Sequence, residues 1–200
     1  MKVQTKKGIA VLLVVIVVAL WVWRFLAVNR YYEKIGVEKV FYQLDEPIEL
    51  GENVVAYWIS TEGYTLTFHN WALLCYEDVL KEFQISNEIV SQFTDKPEYV
   101  VIVPVTVYNE DNTEGALPLT DFTLHGIDWY TDWNAELMNV INSKGWDIYY
   151  TCAPGTSEEI YLVYNLRQLS KPDSRWESIA EESMWIHVTS YPTRIEVVLQ

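Results

Sequence analysis

Cysteine is scarce in this chain: Cys75 and Cys152 are the only two among 200 residues. With none before position 75, there is no cysteine at which a lipoprotein precursor could be cleaved and lipidated. Acidic residues are missing from the first 30 positions, where five of the 14 basic residues lie (Lys2, Lys6, Lys7, Arg24, Arg30), giving that stretch +5. Residues 31–200 hold all 28 acidic residues and carry 9 − 28 = −19. Phosphate binding needs a basic surface, so this composition argues against nucleic acid as a partner. It argues equally against docking of the acidic part onto anionic lipid. Repeats and low-complexity segments are also missing.

Catalytic signatures are absent too. There is no Gly-x-Ser-x-Gly elbow, no His-Glu-x-x-His, no phosphate-cradling glycine loop and no Cys–His pair at a telling spacing. His69 and His187 sit beside hydrophobes in strand candidates, the usual setting of structural histidines. Glu158-Glu159 and Glu181-Glu182 are adjacent pairs, which a strand would point to opposite faces, so they make poor acid/base dyads. The expectation is a protein that is not an enzyme and needs neither metal nor cofactor.

What the chain does have is apolar material, 50% of its residues against 21% charged, as in an ordinary folded protein. Fifteen residues from Ile9 to Trp23 are apolar without a break, and Arg24 is the only charge between Gly8 and Val28. A helix over those 21 positions rises about 31 Å, near the thickness of a bilayer's hydrocarbon core. Trp21 and Trp23 gather at one end like an interfacial belt, beside an Arg24 that can snorkel. A cleaved signal peptide is the competing reading, but Leu20-Trp21-Val22-Trp23-Arg24-Phe25 is too bulky for a cleavage site. The expected order is a short basic cytoplasmic head at 1–7, a single transmembrane helix at 8–28 and a juxtamembrane segment at 29–39. An extracytoplasmic domain at 40–200 follows. Positive charge flanks the helix on both sides, so orientation rests on the contrast between short basic head and long acidic tail.

From residue 40 the pattern is strand-like. Candidates are Val40–Leu44, Ile48–Glu52, Val54–Ile59 and Tyr64–His69, the last with Tyr64, Leu66 and Phe68 on one face. Tyr76, Val79, Leu80 and Phe83 recur at helical spacing, and Ile89, Val90 and Phe93 suggest another turn. Tyr99–Asn109 is apolar on both faces and reads as a central strand. Pro104 within it lacks a ladder donor and suggests a bulge or a neighbouring edge. Further strands are expected at Phe122–Leu124, Ile148–Cys152, Glu159–Leu166, His187–Thr189 and Ile195–Leu199. Short strands punctuated by Gly, Pro, Asn and Asp, with one or two short helices, spell a mainly β antiparallel sandwich in one domain.

The order of turns carries a resemblance. Leu50-Gly51-Glu52-Asn53 leads to Gly63-Tyr64-Thr65-Leu66-Thr67 and a short helix. Then come a valine-rich strand ending Val107-Tyr108-Asn109, Leu117-Pro118-Leu119, and Pro154-Gly155-Thr156-Ser157 before Ile160-Tyr161-Leu162-Val163-Tyr164. Over roughly residues 40–200 this resembles the immunoglobulin-like, telokin-like extracellular domains of unknown function on Gram-positive lipoproteins and membrane-anchored proteins. The resemblance implies an immunoglobulin-like sandwich at a cell surface and transfers no catalytic residues. Segments 76–98 and 125–147 look like longer inserts.

Three constellations are candidates for chemistry. Cys75 and Cys152 could form a disulfide closing a loop of 76 residues, worth very roughly 4 kcal/mol. Asp121, His125, Asp128 and Asp132 could offer a cation one imidazole and three carboxylates, but their spacing fits no zinc or EF-hand pattern, and a solvated acidic loop is the expectation. Asp128, Trp129, Tyr130, Asp132 and Trp133, with Trp146, Tyr149 and Tyr150 nearby, form the densest aromatic cluster. Such faces can stack on sugars or anchor a protein, and can equally cover the end of a core.

The function expected is therefore non-covalent: an envelope protein, peptide or glycan bound by the outer domain, with the lipid bilayer held through 8–28. Two alternatives stand beside it, an accessory subunit assembled through Val11, Val15 and Val18 of the helix, and a cell-wall hydrolase of unfamiliar type.

Overall fold

A computed structural model describes residues 14–27, 37–54, 59–131, 133–142, 149–167 and 176–199. The chain divides into two units, Met1–Val37 and Glu38–Gln200. In the first, residues 14–27 form helix α1, whose sequence is apolar all the way round except for Arg24. Among the described residues no helix is long and apolar enough to cross a membrane. Positions 8–13 and 28 of the expected span lie outside the described residues.

The second unit is mainly β, with several sheets and few helices. One sheet runs in the order β1-β12-β11-β7-β8, built from Glu38–Tyr42, Thr193–Leu199, Met184–Thr189, Thr123–His125 and Tyr130–Thr131. We call it sheet A. The other, sheet B, runs β10-β5-β3-β2, from Thr156–Leu166, Tyr99–Asn109, Tyr64–Phe68 and Pro47–Glu49, with β4 (Ala72–Cys75) also paired to β5. A small third sheet joins β6 (Leu117–Pro118) to β9 (Tyr149–Tyr150). One buried cluster takes Leu66, Phe68 and Val103 from sheet B and Leu124, Ile186 and Val197 from sheet A, so both sheets share a core.

β5 has the bounds and the central place that its valines implied, since β-branched residues suit a strand packed on both faces. It pairs with β10 along its whole length, Tyr161 opposite Pro104 with no shift of register. Of the two readings of Pro104, the bulge is thus not there, and a neighbouring strand end is. Its carbonyl accepts from His69 N at 2.9 Å, so the missing N–H faces the same side, where β3 has ended and β4 has not begun. The proline sits at a gap in the ladder and costs no hydrogen bond there.

Other expectations need correction. The sheets are not wholly antiparallel: β1 runs parallel to β12, Val40 opposite Ile195. This pairing brings Glu38 and Lys39 into the strand, so the folded part begins before residue 40. Backbone pairing at an edge ignores the polarity that made those two residues look like linker. Of Val54–Ile59 only the two ends are described, Val54 in an isolated bridge to Tyr191 and Ile59 in a bend rather than a strand; 55–58 lie outside the described residues, as does Ile148 of the Ile148–Cys152 strand.

Helix α2 (Tyr76–Glu82) lies where the spacing put it, with Tyr76 and Val79 buried and Glu77 and Asp78 in its first turn. Helix α3 (Asn87–Val90) is capped by the Ser86 hydroxyl, which accepts from Ile89 N. A third short helix, α4 (Ala135–Ile141), has an Asn134 cap and buries Leu137 and Met138. It lies against β10, an edge strand, and seals part of that edge. The Asn142 side chain accepts from Tyr161 N at 2.8 Å and donates to Tyr161 O at 3.0 Å, as a neighbouring strand would. Glu136 Oε1 meanwhile accepts from Thr94 N at 2.9 Å, tying α4 to the segment after α3.

The two cysteines are not bridged. Cys75 pairs with Tyr99 at one end of β5, whereas the Cys152 carbonyl accepts from Asn109 Nδ2 at the other. Ten residue steps along the strand separate those ends, roughly 33 Å, far beyond the reach of a disulfide. Cys75 is exposed and Cys152 buried.

Candidate functional site

The outward face of sheet A is where unusual side chains meet. In β11, Met184, Ile186 and Val188 point inward while Trp185 and His187 alternate outward. Register then decides their neighbours. Trp185 stands opposite His125, and His125 opposite Tyr130; His187 stands between Thr123 and Glu196, and Glu196 opposite Phe41. The rings of Tyr130, His125 and Trp185 form a cross-strand stack, with centroids 5.8 and 6.1 Å apart and planes inclined by 30° and 13°. His187 meets His125 edge to face at 6.1 Å.

Hydrogen bonds and charge fix the state of this row. His125 Nε2 lies 2.8 Å from Thr123 Oγ1, and His187 Nε2 lies 2.9 Å from Ser190 Oγ. Glu196, only 3% exposed, accepts from Arg194 Nε at 2.6 Å and pairs with its Nη2. Burial pushes the His187 imidazole down to about 4, helped by the Arg194 charge and opposed by Glu196. Burial likewise lowers His125, with Arg194 again adding to it. Both rings are therefore neutral near pH 7. His187 Nδ1 and Trp185 Nε1 are buried without a hydrogen-bond partner among the described residues. At the margins Tyr130 is 68% and Phe41 56% exposed. The arrangement offers flat apolar rims and neutral imidazole edges, suited to recognition.

The five residues singled out from the sequence do not form one site. Tyr130 joins the outward row. Trp129 folds back over Gly126, where a Cβ would lie 2.2 Å from its ring, and its Nε1 donates to Glu182 Oε2 at 3.2 Å. Trp133 bridges to Tyr164 of β10 and packs on the core. Asp128 is exposed, and Asp132 lies outside the described residues, as does Trp146. Consecutive residues of an extended segment face opposite ways, so a dense linear run is divided between surface and core. Among the described residues no group of three or more potential ligands could hold a metal ion. His125, considered as one ligand of a cation, belongs to the aromatic row. Trp185, His187 and Phe41 were missing from the sequence-based site. The alternation of Met184, Ile186 and Val188 with Trp185 and His187 is the signal that marks two of them as outward.

No curated protein matches the chain. Among solved structures, a functionally unknown protein from Listeria monocytogenes EGD-e is similar at 13% identity, over 76% of this chain and 85% of that one, with a TM-score of 0.40. The family described as a domain of unknown function, DUF5028, matches residues 39–195. That span takes in nearly the whole second unit, all of sheet B and the aromatic row of sheet A included, and ends within β12; the chain belongs to the DUF5028 family.

Proposed function

We propose that this chain is a single-pass membrane protein of a bacterial surface, its N-terminus cytoplasmic and its immunoglobulin-like domain displayed outward. The outward face of sheet A is its contact surface, binding an envelope protein or peptide non-covalently. The observation that carries the reading is the row of Phe41, Tyr130, His125, Trp185 and His187, aromatic and largely uncharged on a domain otherwise strongly acidic. Such side chains are enriched where proteins bind one another. A glycan is the weaker occupant, because the stacked rings stand on edge and cover one another's faces, leaving few flat faces for a sugar. Two sheets on one core support the immunoglobulin-like reading. The apolar stretch over 8–28, interrupted only by Arg24, and the otherwise apolar circumference of α1 support the anchor.

Two experiments test this. A photo-crosslinking amino acid at Phe41 or Tyr130 in the full chain on intact cells is expected to capture one protein, and the same probe at Tyr108 on sheet B none. Equal capture at all three sites, or none at any, defeats the contact surface. A membrane-impermeant maleimide is expected to label the exposed Cys75 on intact cells. Labelling only after the membrane is opened reverses the orientation.

A further inference from the structure

Away from that row, an open cleft of about 870 Å3 lies beside the start of β5, lined by residues of α2, the Lys96–Tyr99 approach and Trp176. Its volume falls in the range of small-molecule sites. Tyr99 and Trp176 meet edge to face, centroids 5.5 Å apart and planes at 62°, so they make two walls of a corner. Tyr76 also lines the cleft; it is only 8% exposed, and its hydroxyl has no hydrogen-bond partner among the described residues. Among the described residues, the carboxylates of Glu77, Asp78 and Glu98 line the same space, with the ammonium of Lys96. Asp78 is held by Lys81 at 3.0 Å, an exposed pair that costs the carboxylate little of its charge in water. Angled aromatic walls with carboxylates at the rim attract a cation through the ring quadrupoles and the local field. A quaternary ammonium fits better than a primary one, because it is weakly hydrated and loses little on leaving water.

We propose that this cleft is a binding site for a small organic cation bearing a quaternary ammonium group, recognised by Tyr99, Trp176 and Tyr76 with Glu77. The site is separate from the outward row of sheet A and does not depend on its function. Cys75, exposed on the lining of the cleft, supplies a built-in reporter.

The test uses the full chain in a sugar-headgroup detergent, with ionic strength held by sodium chloride. Neutral N-ethylmaleimide labels Cys75, and the modified peptide is followed by mass spectrometry. Choline at about 10 mM is expected to slow labelling about threefold or more, whereas its uncharged isostere 3,3-dimethylbutan-1-ol at the same concentration does not. Trp176→Ala is expected to abolish protection, Trp176→Phe to keep part of it and Glu77→Gln to weaken it about threefold. A thermal melt of each variant shows that it is folded; should Trp176→Ala be unfolded, Trp176→Phe and Glu77→Gln decide. A peptide carrying trimethyllysine distinguishes the source: protection by choline alone marks a free small molecule, protection by both a group that can be borne on a chain. Equal protection by the isostere, or none by either cation, overturns the proposal.

Discussion

The two large sheets bury one face each against a common core and treat the other face differently. The outer side of sheet B is covered near the start of β5. There α2 packs on β5, and Phe83 meets Tyr161 edge to face at 5.7 Å, while α4 closes the edge of β10. Val100, Ile102 and Val163 are buried on that side as fully as the residues facing the core. Sheet A has no such cover among the described residues, and its outer side carries Tyr130, His125, Trp185 and His187 half in water. A strand roofed on both sides becomes continuous valine. A strand with one wet side alternates, and its outward positions are free to carry recognition. Covering elements stabilise one sheet; their absence leaves the other a surface to use.

This contrast can be broken from the covered side first. Leu137→Ala in α4 removes a fully buried side chain from the helix that closes the β10 edge of sheet B and is expected to cost about 3 kcal/mol in urea unfolding. A loss below about 1 kcal/mol would show that α4 contributes little to closing that edge. Asn142→Ala should cost about 2 kcal/mol by leaving Tyr161 N and O unpaired at the edge of β10. Its sharper signature is faster amide exchange at Tyr161 than at residues elsewhere in β10.

On the open side the effects are smaller and depend on pH. His187 is held neutral with its pKa pushed down to about 4, against about 6.5 in an unfolded chain. Between those values the unfolded chain takes up a proton that the folded chain refuses. Stability is therefore undiminished above about pH 6.5 and falls as pH drops towards 4, by about 1–2 kcal/mol at pH 5. His187→Gln should reduce this loss, measured as the difference in urea midpoint between pH 7.5 and 5. If the two proteins lose stability in parallel, His187 is not the group responsible. The smallest stability effect belongs to Tyr130→Ala, expected to change unfolding by no more than about 0.5 kcal/mol. In a pull-down through the full-length chain, the same variant should lose the captured partner. Retained capture would remove Tyr130 from the contact surface.

Much of the β architecture was legible in the residues because its signals are local. Tyr64, Leu66 and Phe68 declare a strand by alternation, and Tyr99–Asn109 a central one by its two apolar faces. Tyr76, Val79, Leu80 and Phe83 declare a helix by their period. Strand β4 and helix α4 were missed for want of such signals. Four residues, Ala72–Cys75, are too few to show a period, and α4 is held by its Asn134 cap and its docking on β10 more than by propensity.

What the sequence determined by itself was therefore whatever depends on near neighbours: the apolar run at 8–28, the split of charge, and the existence and type of the longer elements. Tertiary structure alone decided which of those elements became neighbours. It set β1 parallel to β12, put Pro104 at the gap between β3 and β4, and held Cys75 and Cys152 at opposite ends of β5. It also brought Tyr130, His125, Trp185 and His187 into one row from three strands. The reason is physical: pairing between strands is set by backbone register and a shared core, which act between residues tens of positions apart and leave no mark on any short stretch of chain.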